Sequence, residues 1–263
     1  MNEQNALFEA WIERLPTATN IHMSAGDRLD DDFTNSNRIP YSDKHNHFYK
    51  MLMRDSVSKS TMAYTSNLSG DLNRSLIHLS TSGQDKMPKK LYHMMERDIN
   101  MDIHGAPSPT EDLYVYSGIK NFTPNNLHSR YIHAPNFVSA SLLPHIAKEF
   151  AQTYYTRNFD GRNNDIHHLH VLRIKIPAFS NNGLYLANHS AYPKEEEFLL
   201  RNSNVYYIAD TPYTFIHHYG NGSQRHIHLW DTHIIEPSEF HKLSHESAIQ
   251  DKLYLDDKLE KNR

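Results

Sequence analysis

In several stretches of the first 105 positions, apolar residues recur every three or four residues, the spacing that places them on one face of a helix. This pattern predicts helices over residues 6–15, near 47–58, from Gly70-Asp71 onward with Asp71 as the N-cap, and over 89–100. The stretch 23–40 is rich in Asp, Asn and Ser, which is typical of a loop.

After a break at 105–109, which contains one glycine and two prolines, the apolar runs become short and strand-like. Strands are predicted over 113–116, 136–141, 168–176, 198–208 and 227–235. One helix over 144–154 interrupts them, because Pro144 suits a first helical turn and the apolar residues after it share one face. Helices followed by strands indicate an α+β fold and not a parallel doubly wound sheet.

This order of elements predicts three parts: an N-terminal helical subdomain (1–105), a β-core (106–245) and a charged C-terminal tail (246–263). A chain of 263 residues is long enough for one large domain or for one domain with a helical extension.

Composition excludes several kinds of chemistry. The chain has no cysteine, so disulfides and thiolate catalysis are excluded. The 27 basic and 31 acidic residues give a net charge of −4, which does not indicate a general nucleic-acid-binding surface. No apolar run approaches the ~18 residues needed to span a membrane, and the first residues lack the pattern of a secretory signal. We therefore expect a cytoplasmic protein without a signal peptide or a membrane partner.

Three consecutive glutamates, Glu195, Glu196 and Glu197, directly precede the apolar run that starts at Phe198. If the strand extends back through them, Glu195 and Glu197 share one face and Glu196 lies on the other, with no role assigned to it. Two carboxylates held side by side repel each other, which a fold seldom needs but a site for a cationic transition state does. A solvated acidic loop is the alternative for the triplet taken alone.

Two further motifs precede the glutamates along the chain. Tyr116-Ser117-Gly118 ends the first predicted strand, and a glycine there allows a ligand or another backbone to approach closely. Ser139 and Ser141 share one face of the second predicted strand. Taken singly, Tyr116-Ser117-Gly118 could be an ordinary end of a strand leading into a loop, and Ser139 and Ser141 could lie on a solvated strand face.

In this order, the motifs resemble those of the Arg–Ser–Glu class of mono-ADP-ribosyltransferases, which includes clostridial exoenzymes that modify actin and Rho and the enzymes of T-even phages. That family has an aromatic-Arg-Gly strand, then a Ser-Thr-Ser strand leading into a helix with Ala and Phe-Ala, then Glu-x-Glu before an aliphatic strand. The matching segments here are 116–118, 139–141 with Ala147 and Phe150-Ala151, and 195–197. Tyr64-Thr65 and residues 71–76 resemble the family's N-terminal helix, so the likeness covers roughly residues 60–236.

The resemblance implies an ADP-ribosyltransferase-like split β-sandwich core with an N-terminal helical subdomain. It also implies NAD as the cofactor, cleaved between nicotinamide and ribose, and a host protein, modified on arginine, as the partner that accepts ADP-ribose. By the same resemblance, Glu197, Glu195 and Ser139 are catalytic and Tyr192 recognises the acceptor. The implied NAD-binding residues are Tyr116, Ser117, Gly118, Ser141 and Phe150. The absence of a signal favours a phage protein acting in the host cytoplasm over a secreted toxin.

One position departs from the family pattern: Ser117 stands where the family has the Arg that contacts the phosphates of NAD. A hydroxyl lacks the charged bidentate fork of a guanidinium, and losing such a contact weakens binding by ~1.5–3 kcal/mol. Arg74, Lys120 or Arg130 are candidates for supplying the charge. The alternative is a degenerate fold that serves as a non-catalytic interaction module. Asn73 and Arg74 are interpreted as a solvated helix face and stay outside the predicted site.

The 20 histidines raise a metal hypothesis, since on strands His168 shares a face with His170, and His226 with His228. The acidic and cysteine partners that usually complete a zinc site are not clustered around them. We therefore assign no metal and interpret these residues as part of a His-rich composition.

Overall fold

The computed structural model describes residues 51–81, 87–119, 131–151, 166–186, 189–209, 211–218 and 222–235. The predicted helix over 6–15, the predicted loop over 23–40 and the predicted tail over 246–263 lie outside these ranges, and the three-part division stays a prediction.

Four α-helices lie wholly within the described residues, together with one π-helical turn and the 3-10 turn Pro193–Glu195. The helices are α1 (Lys59–Ala63), α2 (Ser69–Thr81), α3 (Lys89–His104) and α4 (Pro144–Ala151), and the π-helical turn Tyr64–Leu68 joins α1 to α2. Asp71 lies in the first turn of α2 and is not its N-cap, because α2 continues directly from the π-helical turn. None of the helices in these ranges is both long and apolar enough to cross a membrane.

The helix predicted near 47–58 is wrong for its described part beyond residue 52. Met53 forms an isolated parallel bridge with Tyr185, and residues 54–58 are not helical. The reason lies at Ser58, whose side chain accepts a hydrogen bond of 3.2 Å from the amide of Thr61 and thereby starts the next helix, α1.

This non-helical segment is tied to α3 by one buried carboxylate. Asp102 accepts hydrogen bonds from the hydroxyl of Thr61 (2.6 Å), the amide of Ser58 (2.8 Å) and the guanidinium of Arg54 (3.2 Å). Three donors on a single carboxylate fix the start of α1 against the last turn of α3.

Nine strands form one mixed sheet with the hydrogen-bonded order β2-β7-β9-β4-β1-β3-β6-β5, and β8 pairs with β9. Their bounds are β1 Leu113–Ile119, β2 Tyr131–Ala134, β3 Val138–Ser141, β4 Ile166–Ile176, β5 Gly183–Tyr185, β6 Glu197–Leu200, β7 Asn204–Ile208, β8 Tyr213–His218 and β9 Gln224–Ile235. The single strand predicted over 198–208 is two strands, because the turn at 201–203 places Ser203 at φ 62°. β4 and β9 are parallel, whereas the other pairs are antiparallel.

The sheet is divided at the contact between β1 and β3. These strands are registered at one pair only, Tyr116 with Ser141, whereas β1 pairs with β4 along its whole length. Side chains from both parts of the sheet meet in one buried cluster, which includes Val115, Ile174 and Trp230 from one part and Val138, Phe198 and Leu200 from the other. The two parts therefore enclose a shared core, and the predicted α+β fold class is confirmed.

The helices cover the other face of the β5–β6 part. A second buried cluster joins Leu72 of α2 and Tyr92 and Ile99 of α3 to Phe137 and Leu199. Leu199 of β6 points to the helices, while its neighbours along the strand belong to the shared core, as the alternation of a strand buried on both faces requires.

Candidate active site

A cleft of about 470 Å³ opens where β1 and β3 separate. Its walls come from the π-helical turn, the start of α2, the end of β1, β3, α4 and the loop before β6. All nine site residues predicted from the sequence line it: Glu195, Glu197, Ser139, Tyr116, Ser117, Gly118, Ser141, Phe150 and Tyr192. The volume lies in the range of small-molecule and cofactor sites.

Glu195 and Glu196 form a turn, and only Glu197 belongs to the strand that follows. Pro193–Glu195 forms one 3-10 turn, Glu196 has left-handed backbone angles (φ 47°, ψ 50°), and β6 begins at Glu197. Glu195 and Glu197 both line the cleft because of this left-handed residue, so the explanation by strand alternation was wrong. The side chain of Glu196 is fully buried and accepts a hydrogen bond from the hydroxyl of Tyr185, so it has a structural role that its sequence position did not indicate.

Glu197 is a buried acid held by two serines. The hydroxyl of Ser190 donates a hydrogen bond of 3.0 Å to its Oε2. Burial raises the pKa of Glu197 to about 7, the charge of Glu195 adds to this increase, and hydrogen bonds from the hydroxyls of Ser139 and Ser190 oppose it. Near neutral pH this carboxyl group is therefore divided between its acid and its ionised form.

Glu195 is half-buried, and this burial raises the pKa of its carboxyl group. Its position depends on Ser141, whose hydroxyl donates a hydrogen bond of 2.5 Å to the carbonyl of Glu195 and accepts one of 2.9 Å from the amide of Leu143. Ser141 thus ties the glutamate turn to the chain leading into α4, and its hydroxyl is used within the protein.

The end of β1 is packed tightly against α4. A Cβ atom on Gly118 would lie 2.0 Å from the carbonyl oxygen of Ala147 and 2.4 Å from the amide nitrogen of Ala151, so only glycine allows this approach. The hydroxyl of Ser117 donates a hydrogen bond of 3.0 Å to the carbonyl of Ser139, which joins β1 to β3 beside the cleft. Phe150 of α4 stays 43% exposed at the edge of the cleft.

Solved structures show which fold this arrangement belongs to. The structure of the ADP-ribosyltransferase Vis from Vibrio splendidus, in complex with agmatine, matches with a TM-score of 0.50 and 16% identity over 79% of this chain and 91% of Vis. The enzymatic component C2-I of the C2 toxin from Clostridium botulinum matches with a TM-score of 0.50 and 12% identity over 71% of this chain and 45% of C2-I. The chain has an ADP-ribosyltransferase fold. No protein-family model and no curated protein sequence matches it.

Several residues in the cleft of this ADP-ribosyltransferase fold were not predicted. Asn73 donates hydrogen bonds to the hydroxyl of Tyr64 (3.0 Å) and to the carbonyl of Phe137 (3.1 Å), and Asn136 donates to the same carbonyl (2.8 Å). Their amide oxygens are buried and have no hydrogen-bond partner within the part of the chain that the structure describes. The sequence offered a reason to consider Asn73, its place in the 71–76 motif, but none to consider Asn136. Ser190 does not line the cleft but bonds to Glu197, which does, and this contact was not predicted either.

The cleft is poor in positive charge. No lysine or arginine is among its lining residues in the described ranges. Of the three candidate cations, Arg74 lies in the described residues: it pairs with Asp71 and lies beside Gly70, where a Cβ atom would be 3.8 Å from its Nη2. Lys120 and Arg130 lie outside the described residues.

Proposed function

We propose that this protein is a NAD-dependent mono-ADP-ribosyltransferase that breaks the bond between nicotinamide and ribose and transfers ADP-ribose to an arginine of a host protein. The observation that carries the proposal is that Glu195 and Glu197 line the same cleft of an ADP-ribosyltransferase fold, because the left-handed residue Glu196 lies between them. A pair of carboxyl groups in such a cleft suits a reaction whose transition state carries positive charge on a sugar.

Glu197 has the properties of the group that stabilises this charge. As the bond from ribose C1′ to the nicotinamide nitrogen breaks, the ribose becomes oxocarbenium-like and nicotinamide leaves as a neutral molecule. An ionised carboxylate bonded to the ribose 2-hydroxyl strengthens its hold as positive charge grows. Ser139 and Ser190 orient Glu197, and their hydrogen bonds lower the pKa of its carboxyl group against the effect of burial.

Glu195 is placed to prepare the acceptor. A guanidinium becomes nucleophilic only when it gives up a proton, and a carboxylate with a raised pKa is a better base for this step than an ordinary one. The guanidine nitrogen then forms the new bond to C1′, and the proton goes to Glu195. The Vis structure holds agmatine, a small guanidine, which supports a guanidine acceptor for this fold. Tyr192, 54% exposed at the cleft, is the contact for the acceptor protein.

The remaining cleft residues suit NAD. The amide oxygens of Asn73 and Asn136, unpartnered within the described residues, are acceptors for the amide and hydroxyl donors of the dinucleotide. The exposed ring of Phe150 offers a stacking surface. Arg74 supplies a charge for the phosphates, after exchanging its pairing with Asp71 for the ligand.

A second candidate function rests on the cation-poor cleft. Ser117 in place of arginine, together with a lining that has no lysine or arginine in the described residues, is what a non-catalytic interaction module with this fold would show. The two functions differ in whether NAD is bound and consumed.

Nicotinamide release from NAD distinguishes these functions when it is measured with and without agmatine as acceptor. If the protein is a transferase, agmatine stimulates the release of nicotinamide, and Glu197→Gln lowers the rate of release ~100-fold or more. The control Glu111→Gln, at an exposed position, leaves the rate unchanged. The absence of release, together with the absence of a NAD-dependent change in Tm, would favour the interaction module.

The Ser117→Arg variant tests the role of the missing arginine. If the scaffold is intact, the added guanidinium strengthens NAD binding and raises activity relative to Ser117→Ala, which also removes the bond to the Ser139 carbonyl but adds no charge. Incubating a cell extract with labelled NAD and the protein then identifies the acceptor protein by mass. The same experiment tests the proposal that the acceptor is a protein of the host cytoplasm.

A further inference from the structure

Three histidines converge on the sheet outside the cleft. The parallel pairing of β4 with β9 places His168 opposite His226 and His170 opposite His228. One ring nitrogen from each of His168, His226 and His228 lies within 4.8 Å of the other two. Nδ1 of His168 and Nε2 of His228 share a hydrogen bond of 2.8 Å, so one of the two nitrogens carries a proton that a bound metal ion would displace. None of the three lines the cleft as far as the described residues show.

Two of the rings are oriented by a hydrogen bond at one of their two nitrogens. Nε2 of His226 lies 2.8 Å from the amide oxygen of Gln224, which can only accept, so this nitrogen carries the proton and Nδ1 keeps a lone pair. Nδ1 of His228 lies 2.9 Å from the hydroxyl of Thr214 on β8, which leaves Nε2 facing His168. Metal-binding histidines are held in this way, with the second nitrogen bonded to an outer partner.

A stack of aromatic rings is the competing explanation for this cluster. The rings of His168 and His228 are nearly parallel with centroids 5.1 Å apart, and the ring of His170 also stacks on His228, with centroids 4.8 Å apart. Stacking accounts for His170, whose Nδ1 accepts a hydrogen bond of 3.1 Å from the indole of Trp230. It does not account for the outer bonds at Gln224 and Thr214.

The three nitrogens lie within 4.8 Å of one another, so the rings must shift to bind one ion. Two imidazole nitrogens on a tetrahedral zinc ion, each about 2.0–2.1 Å from the metal, lie roughly 3.3 Å apart. His168 is exposed, so its ring can move by the half ångström that separates this value from the 2.8 Å contact without disturbing the core. Burial lowers the pKa of both His226 and His228, and the nearby imidazole of His168 adds to this decrease.

We propose that His168, His226 and His228 bind one first-row transition-metal ion, zinc foremost, with the fourth coordination position open to solvent. Imidazole ligands suit Zn²⁺, Co²⁺, Ni²⁺ and Cu²⁺, whereas Mg²⁺ and Ca²⁺ require oxygen ligands that these three residues do not offer. Because its ligands come from β4 and β9 and its outer partner Thr214 from β8, the ion joins three strands at one end of the sheet.

Titration of the untagged full-length protein, stripped of metal by a chelator, tests this proposal. We expect one Zn²⁺ ion per chain by calorimetry, a rise in Tm on adding Zn²⁺, and the visible absorption of tetrahedral Co²⁺ when Co²⁺ replaces it. His168→Ala and His226→Ala each weaken this binding ~10-fold or more and remove the Tm rise. His93→Ala, an exposed histidine on α3, is the matched control and leaves both unchanged.

Thr214→Val separates metal binding from ring stacking. It removes the outer partner of His228 but no ligand, and loss of such a partner weakens metal affinity about 10–100-fold. Circular dichroism of each metal-free variant verifies that it is folded. Saturable binding that is unchanged in both His168→Ala and His226→Ala, or no saturable binding of Zn²⁺ or Co²⁺ at all, overturns the proposal.

Discussion

Ser190 donates a hydrogen bond of 3.0 Å to the buried carboxylate of Glu197, and its hydroxyl oxygen accepts one of 3.1 Å from the amide of Tyr192. The preceding amide in the loop, that of Ala191, donates a hydrogen bond of 3.1 Å to the hydroxyl of Thr65. The ionisation of the central acid is therefore linked to the conformation of the loop that carries the predicted acceptor contact.

Removing the Ser190 hydroxyl should move the activity profile to higher pH. A hydrogen bond to a charged group contributes ~1.5–3 kcal/mol, equivalent to about 1–2 units of pKa, so Ser190→Ala raises the pKa of Glu197 further. Measured as kcat/KM for nicotinamide release, activity falls several-fold at pH 7 and recovers towards pH 8.5. Ser180→Ala is the control, because that hydroxyl bonds only to the Pro177 carbonyl among the described contacts. An unchanged pH profile in Ser190→Ala would contradict this role.

Glu197 should lower the stability of the protein above neutral pH. Because its pKa is about 7 in the folded chain and 4.5 as the reference value, it favours folding below pH 4.5 and loses that contribution as pH rises through 7. Glu197→Gln cannot ionise, so we expect it to be more stable than the wild type at pH 8.5, by on the order of 3 kcal/mol, and the difference to vanish near pH 4.5. Urea unfolding at both pH values measures this. The exposed control Glu111→Gln should show no such pH-dependent difference.

Two glycine substitutions should have opposite effects on stability. Gly118→Ala forces a methyl group into the backbone of α4 at 2.0 Å and should cost about 3 kcal/mol or more, since no flexible side chain can move aside. Gly70→Ala, within α2, meets only the end of the Arg74 side chain at 3.8 Å, and should stabilise the helix by up to ~1 kcal/mol. Thermal unfolding of both variants provides the comparison, and equal Tm values for the two would show that α4 is not pressed against β1.

Among the acidic residues of the helical part, Asp102 should cause the largest loss of folding stability when it is replaced. Asp102→Ala leaves the amide of Ser58 and the hydroxyl of Thr61 without their acceptor, which predicts a loss of ~3–5 kcal/mol. Asp55→Ala, an exposed carboxylate in the same segment, should change stability by less than about 0.5 kcal/mol. Urea unfolding of the two variants measures the difference, and a small effect of Asp102→Ala would show that water replaces the carboxylate.

Elements with long, regular apolar patterns were predictable from the sequence. The helix α3 and the strands β1, β4 and β9 appear where they were expected, each slightly longer than predicted. The nine site residues converge because their motifs lie at the ends of strands or in turns next to the division between β1 and β3.

Short strands and unusual turns were not predictable. β2, β5 and β8 have three to six residues, too few for a period to stand out from chance. The turns at Glu196 and Ser203 use left-handed backbone angles without glycine, so nothing in the residue type announced them. The partner of Glu196, the hydroxyl of Tyr185, is eleven positions away, and only the tertiary structure brings the two together.

The single registered pair between β1 and β3 has a mechanical consequence. A sheet separates most readily where the fewest main-chain hydrogen bonds must break, and here that line passes through Tyr116 and Ser141, along the floor of the cleft. A ligand in the cleft contacts residues on both β1 and β3 and so links the two parts of the sheet. The ligand thereby adds contacts between two strands that are registered at only one residue pair. The force needed to separate the two parts of the sheet is therefore expected to be higher when the cleft is occupied.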